Sequence, residues 1–145
     1  MEIRFALLEE ILPLRQAIII AGTDRDSPYF AGDDRPTTRH VGAFEKGQCI
    51  GCATFLCSEW EGQPAWQVRG TATALEWRRG GVGRALLDFA QNTLADESGV
   101  RVFWCNARKD SVGFYERLGW SIVSACFDIP GVGMHYRMIK RLPAT

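Results

Sequence analysis

The densest chemical signal in the chain is Arg78-Arg79-Gly80-Gly81-Val82-Gly83-Arg84, which runs directly into Ala85-Leu86-Leu87-Asp88-Phe89-Ala90. The arginines bring positive charge, the glycines leave backbone open to a ligand, and the apolar periodicity behind them predicts a helix starting at that spot. Backbone N–H groups, guanidinium groups and a helix N-terminus converging at one point make a site for a diphosphate. A P-loop is excluded, because Gly83 is followed by Arg84-Ala85 and not by Lys and Ser or Thr. A dinucleotide-binding fingerprint would need a third glycine near position 86, where Leu86 stands. What remains is Arg-x-x-Gly-x-Gly at Arg78, Gly81 and Gly83. Five cysteines are the other reactive groups: Cys49, Cys52, Cys57, Cys105 and Cys126. Cys49 and Cys52 have CxxC spacing, but no second CxxC or His pair accompanies them. Buried reduced thiols are expected, with no metal.

The elements that position the loop can be read from periodicity. With 145 residues, the chain is expected to be a single domain (1–145) whose core needs neither disulfides nor metal. Composition is that of a soluble globular protein, 46% hydrophobic and 23% charged. A formal net charge of zero gives no global field for nucleic acid or an anionic membrane, so phosphate binding must be local. No signal-peptide pattern opens the chain, and Ile18-Ile19-Ile20 is too short to span a bilayer, so a cytoplasmic location is expected.

Residues 2–7 read as a strand. Leu14, Ala17, Ile18 and Ala21 follow helical spacing, with Pro13 suited to a first helical position and Gly22 to the end. Residues 23–36 are rich in Asp, Arg, Gly and Pro and predict a loop with one turn around Tyr29, of the kind that shapes a pocket. Strands over 37–44 and 49–57 form a hairpin about Glu45-Lys46-Gly47-Gln48. A further strand over 65–74 carries Gly70, which suggests a bulge, and leads into the arginine-glycine loop. Val82, Ala85, Leu86, Phe89, Ala90, Thr93 and Leu94 define one helical face, closed by Ser98-Gly99. Residues 100–105 fit a buried strand parallel to the preceding one through a right-handed crossover. A short helix follows, capped by Asp110 or Ser111, bearing Val112, Tyr115 and Leu118 and ended by Gly119. Two strands, 120–128 and 134–139, complete the chain.

In this setting the loop acquires a family context. Val68-Arg69-Gly70-Thr71-Ala72-Thr73 before it, Trp77-Arg78-Arg79-Gly80-Gly81-Val82-Gly83-Arg84 through it, and Phe114-Tyr115-Glu116-Arg117-Leu118-Gly119-Trp120 beyond it resemble a GNAT-superfamily N-acetyltransferase. The likeness covers nearly the whole chain. Trp104-Cys105-Asn106-Ala107-Arg108 and Ile129-Pro130-Gly131-Val132-Gly133-Met134-His135-Tyr136 further resemble an uncharacterised bacterial branch. The resemblance implies an α/β (α+β type) fold: a mixed, mostly antiparallel twisted sheet of about six to seven strands with about four helices, splayed between the fourth and fifth strands. It implies acetyl-CoA as co-substrate and a small-molecule or peptide amine as acceptor, with no nucleic acid and no membrane. Exposed edge strands near the C-terminus leave a homodimer open.

The same resemblance assigns roles. Arg78, Arg79, Gly80, Gly81, Val82, Gly83 and Arg84 would receive the CoA pyrophosphate. Thr71, Ala72 and Thr73 would pair with the pantetheine arm as if it were a strand, and Asn106 would contact that arm. Tyr115 would donate to the CoA sulfur while a neutral amine attacks the thioester directly. The base is left among Glu76, Glu59, His40, His135 or water. Apart from the resemblance, Asp24, Asp26, Tyr29, Phe30, Asp33, Asp34 and Arg39 either line an acceptor pocket, the acidic ones suiting a cationic amine, or form a solvated acidic loop. Two departures from the family pattern stand out: Gly113 weakens the helix carrying Tyr115 by about 1 kcal/mol relative to Ala, and Arg79 occupies a tight turn with no glycine to ease it. Alternatives to an acetyltransferase are an acyl-CoA-binding regulatory module without turnover, a GNAT-fold transferase using another acyl-CoA, and a non-enzymatic interaction domain.

Overall fold

The computed structural model describes residues 1–144. The strands are β1 (Glu2–Ala6), β2 (Arg39–Glu45), β3 (Gln48–Trp60), β4 (Gln63–Thr73), β5 (Val102–Arg108), β6 (Ser121–Ile122), β7 (Phe127–Ile129) and β8 (Gly133–Arg141). The helices are α1 (Leu8–Arg15), α2 (Val82–Ser98) and α3 (Val112–Arg117). A π-helical turn over Gln16–Ile20 prolongs α1, and 3-10 turns over Leu75–Trp77 and Lys109–Ser111 precede α2 and α3. They form one sheet in the order β1-β2-β3-β4-β5-β8-β6, with β7 also paired to β8. Every pairing is antiparallel except β4 with β5, where α2 makes the crossover.

Local chemistry explains most of these elements. Both meander turns, Lys46-Gly47 and Glu61-Gly62, have two residues at positive φ, the hairpin geometry that matches strand twist. On one sheet face, Val82, Leu86, Leu87, Ala90 and Leu94 of α2 pack on Val41, Phe55, Val68 and Phe103. Burying each valine, leucine or phenylalanine among them stabilises by about 1.5–3 kcal/mol. The buried face of α2 is turned slightly from the expected one: Leu87, Gln91 and Ala95 are inside, while Ala85, Phe89 and Thr93 are half-buried. On the opposite face, Ile11 and Leu14 of α1 cover Cys52 and Ala72.

Three expectations are corrected. First, α1 begins at Leu8 and Pro13 lies inside it. The Leu7 N–H donates to Glu10 Oε1 at 2.9 Å, capping the earlier start. Glu9 and Pro13 both face solvent, so the carbonyl that Pro13 cannot satisfy is open to water. Second, residues 120–128 do not form one strand but β6 and β7. Ser124 Oγ accepts the Arg137 N–H at 2.8 Å, so a side chain replaces a ladder bond and interrupts the pairing. Third, neither Asp110 nor Ser111 caps α3 through its side chain; the Lys109–Ser111 turn leads straight into the helix. The turn expected around Tyr29 falls slightly later, with Asp33 N–H bonding the Phe30 carbonyl.

The feature that shapes the molecule is a bulge in β4. Arg69 pairs with Thr54 and Ala72 with Cys52, so Gly70 and Thr71 both stand opposite Ala53. Gly70 has φ +67°, and a Cβ there would lie 3.1 Å from Arg15 Nε and 3.2 Å from the Phe30 ring. Both the backbone angle and the space demand glycine. Beyond the bulge β4 leaves β5: their register ends at Val68 with Cys105. β5 continues to Arg108 paired only with β8. The sheet is therefore splayed between its fourth and fifth strands.

Candidate active site

The splay opens a cleft of about 820 Å³. Among its walls are Thr71, Ala72, Thr73, Arg78, Arg79, Gly81, Gly83, Arg84, Asn106 and Tyr115, so one space collects ten of the twelve residues expected at the site. Val82 is instead buried in the core under α2, and Gly80 is exposed outside the lining.

At one end, α2 opens at Gly81 with φ +82°, no side chain caps it, and no acidic residue stands in its first turn. Its leading N–H groups therefore have no intrahelical acceptor and face the cleft with the positive end of the helix dipole. Gly83 is required by packing as well, since a Cβ would meet the Phe114 ring at 2.9 Å. Arg79 takes φ +65°, the strained conformation anticipated from its missing glycine.

Along the wall, Ala74 N–H bonds the Ile50 carbonyl toward β3 at 2.8 Å. By strand alternation the N–H and C=O of Thr73 and Thr71 point the other way, into the splay. They form an open strand edge suited to an amide-bearing chain. Thr71 Oγ1 is buried without a hydrogen-bond partner. Asn106 Oδ1 accepts from Arg137 Nε at 3.2 Å, which orients its amide nitrogen away from that guanidinium. Uncapped amides, a free strand edge and an orphaned hydroxyl in one channel fit the pyrophosphate and amides of CoA.

Tyr115 closes the channel. It is 6% exposed and packs edge-on against Phe114 and Trp120. Burial, reinforced by the neighbouring Cys105, raises its phenol pKa; the Thr71 hydroxyl opposes the shift without reaching hydrogen-bond geometry. The phenol therefore keeps its proton and is available as a hydrogen-bond donor. Burial likewise pushes the Cys105 thiol up to about 12. Cys49 and Cys52 rise to about 11 and about 12, again chiefly by burial, while Cys57 and Cys126 are exposed, contrary to expectation. Among the described residues, no group of three or more side chains could hold a metal ion.

The structure separates the four base candidates. Glu76 and Glu59 are exposed and lie outside the cleft lining. His40 is buried with both nitrogens engaged: Nε2 donates to the Asp33 carbonyl at 3.0 Å and Nδ1 accepts from Thr54 Oγ1 at 2.8 Å. His135 lines the cleft, 4% exposed and stacked on Phe127. Its Nδ1 meets the Gly133 carbonyl at 2.7 Å. A carbonyl can only accept, so Nδ1 carries the proton and Nε2 holds the free lone pair.

The acidic acceptor lining is not found. Of the seven loop residues expected there, Phe30 alone lines the cleft. Asp33 is buried in a bidentate pair with Arg15, at 2.6 and 3.3 Å. Arg39 pairs with Glu97 at 2.8 Å, and Asp24, Asp26, Tyr29 and Asp34 are exposed. Arg25, Arg69 and Arg108 stand there instead. Their role could not be read from local sequence, because it follows from where the bulge and loop meet.

Comparison with known proteins agrees with this geometry. Residues 7–120 match the Acetyltransferase (GNAT) family. The chain is similar to the uncharacterized N-acetyltransferase YitI of Bacillus subtilis, 33% identical over 148 residues, covering 98% of this chain and 97% of that protein. Its fold is similar to that of Escherichia coli ElaA, with TM-score 0.82 at 17% identity, covering 97% of this chain and 100% of ElaA. An aminoglycoside 6'-N-acetyltransferase solved with coenzyme A has TM-score 0.73 at 14% identity, covering 100% of this chain and 99% of that one. The chain belongs to the GNAT acetyltransferase family and is an acyl-CoA-dependent N-acyltransferase.

Proposed function

We propose that the protein transfers the acetyl group of acetyl-CoA to a primary amine, by direct attack of the neutral amine within a ternary complex. The observation that carries this reading is the alignment, in one cleft, of an uncapped helix N-terminus, an open strand edge and a buried phenol. Bound there, acetyl-CoA supplies an acetyl group already activated as a thioester. Arg78, Arg79, Arg84 and the backbone amides of 79–84 hold its pyrophosphate. Thr71 and Thr73 offer backbone donors and acceptors to its arm, and Thr71 Oγ1 gains the partner it lacks. Asn106 reaches the arm from β5.

Two side chains then handle protons. His135 Nε2 accepts the proton that the amine must lose, directly or through one water. Tyr115 keeps its phenolic proton and donates a hydrogen bond to the leaving sulfur. The acceptor enters past Phe30, Arg25 and Arg69.

Thiol release from acetyl-CoA across a panel of amines tests the reading. Tyr115→Phe should lower kcat by about 100-fold or more while acetyl-CoA still raises the melting temperature as in the parent. His135→Gln should lower kcat while the melting-temperature shift caused by acetyl-CoA persists. Unchanged turnover in the Tyr115 variant removes that residue from the mechanism. Tight CoA binding with no release on any amine favours a binding module without turnover.

A further inference from the structure

The acceptor end of the cleft holds more positive charge than the chain itself can neutralise. Phe30 forms its floor, and three guanidinium groups gather at that ring: Arg15 at 4.2 Å, Arg25 at 5.2 Å and Arg69 at 5.9 Å. Asp33 is the carboxylate in their midst, and it is fully used. Its Oδ2 accepts from Arg15 Nη1 at 2.6 Å and from the Phe30 N–H at 2.6 Å, and its Oδ1 faces Arg15 Nη2 at 3.3 Å. Arg15 also donates to the Pro28 carbonyl and Thr54 Oγ1. That cation is paired, although its Nε is buried without a hydrogen-bond partner.

Arg25 and Arg69 are not. Among the described residues neither guanidinium has a carboxylate within ion-pair distance or a hydrogen-bond acceptor, and Arg69 Nε is buried with no partner at all. Burial works most strongly against the charge on Arg69; Asp33 favours it, and Arg15, Arg35 and Arg25 oppose it, with the balance against the charge. A half-buried, unpaired guanidinium is costly unless something else completes it. The place is also specific. Arg69 immediately precedes the bulge at Gly70, across residues 71–73 from the arginine-glycine loop, so it stands at the acyl end of the channel and away from the phosphate-binding turn.

We infer that the amine acceptor carries an oxyanion, a carboxylate or a phosphate, which binds between Arg69 and Arg25 above Phe30. This rests on the transferase reading and names its substrate class. Guanidinium groups bind planar carboxylates and phosphates through paired N–H donors, and the anion supplies the missing countercharge. A carboxylate source is an amino acid or an acidic peptide; a phosphate source is an amino-alkyl phosphate. The same charges repel polyamines and aminoglycosides, which carry several cations and nothing to pair with arginine.

The test uses matched acceptors with the whole protein. Leucine, phenylalanine and glutamate are compared with their carboxamides, alongside phosphoethanolamine, a short acidic peptide, spermidine and kanamycin, with CoA release as readout. A second readout needs no turnover: the melting-temperature shift caused by N-acetyl amino acids or their carboxamides in the presence of CoA. We expect anionic acceptors to exceed their neutral partners by at least about tenfold in kcat/KM, a difference of about 1.4 kcal/mol. The preferred anion identifies the source. Arg69→Gln should raise KM for the anionic acceptor and abolish the product-induced shift, while the shift caused by acetyl-CoA alone persists. Release that ignores the anion, or that favours spermidine or kanamycin, overturns the acceptor assignment and leaves the transferase standing. No release from any acceptor and no anion-dependent shift overturns both.

Discussion

Gly70→Ala is the perturbation that most sharply probes how the cleft is built. Two costs can be worked out separately. The residue sits at φ +67°, and an L side chain in that region costs about 1–2 kcal/mol. The new methyl would lie 3.1 Å from Arg15 Nε and 3.2 Å from the Phe30 ring. Arg15 cannot yield, being fully buried and tied to Asp33, Pro28 and Thr54. Phe30, half-buried on a loop, must move instead, and such overpacking adds about 1–3 kcal/mol. The expected loss is about 2–5 kcal/mol, a Tm decrease on the order of 10 °C. Gly22→Ala is the control: it has φ +83° but nothing within 4 Å of its Cβ, so it should show the backbone cost alone. Urea unfolding of both variants gives the two numbers. In Gly70→Ala the acceptor KM should rise while the acetyl-CoA dissociation constant holds, because the displaced ring lies at the acceptor end. Equal destabilisation of the two variants would refute the packing cost, and a loss under about 0.5 kcal/mol in Gly70→Ala would refute both costs together.

Other outcomes follow from single residues. Arg79→Gly relieves a side chain at φ +65° and should raise Tm slightly, since the strain removed, about 1–2 kcal/mol, exceeds the roughly 0.5–1 kcal/mol entropic cost of glycine. The same change should weaken acetyl-CoA binding by up to about fivefold, the value of one charge near a helix end; a lower Tm would contradict the strain at this turn. Stability should fall on acidification below pH 6.5, the ordinary value for histidine. Burial lowers the His40 pKa, so in that window the unfolded chain binds a proton that the folded chain refuses, and stability is lost as pH drops, by up to about 1.4 kcal/mol per pH unit. His40→Gln should flatten the slope of stability against pH; an unchanged slope would assign the effect to another group.

The parts of the molecule legible in its sequence are those governed by neighbours along the chain. The arginine-glycine loop, the periodic face of α2 and the meander turns are specified by residues within a few positions of one another, so pattern reading places them. Gly70 marks the bulge for the same reason: an interior glycine weakens a strand and is kept where the backbone must bend or another group comes close. The acceptor end is not legible from local pattern, because its chemistry is set across long separations. Arg15 meets Asp33 18 positions away and Thr54 39 positions away. Asp33 therefore looked like a free acid in an acidic loop when it is the counterion of a buried arginine. Conversely Arg69, part of a recognisable strand motif, gave no sign that it would face the cleft without a partner. The base candidates were separable only once the strands were assembled, since β8 carries His135 to the cleft and the sheet buries His40. Pro13 misled as a helix start because Glu10 had already capped the helix one turn earlier.

The decisive measurement is a crystal structure of the protein with CoA bound. The pyrophosphate should lie on the backbone amides of residues 79–84, the pantetheine amides should pair with Thr71 and Thr73, and the sulfur should come within hydrogen-bonding reach of Tyr115 Oη. CoA bound away from the β4–β5 splay, or with its sulfur pointing away from Tyr115, would contradict the assignment of this cleft.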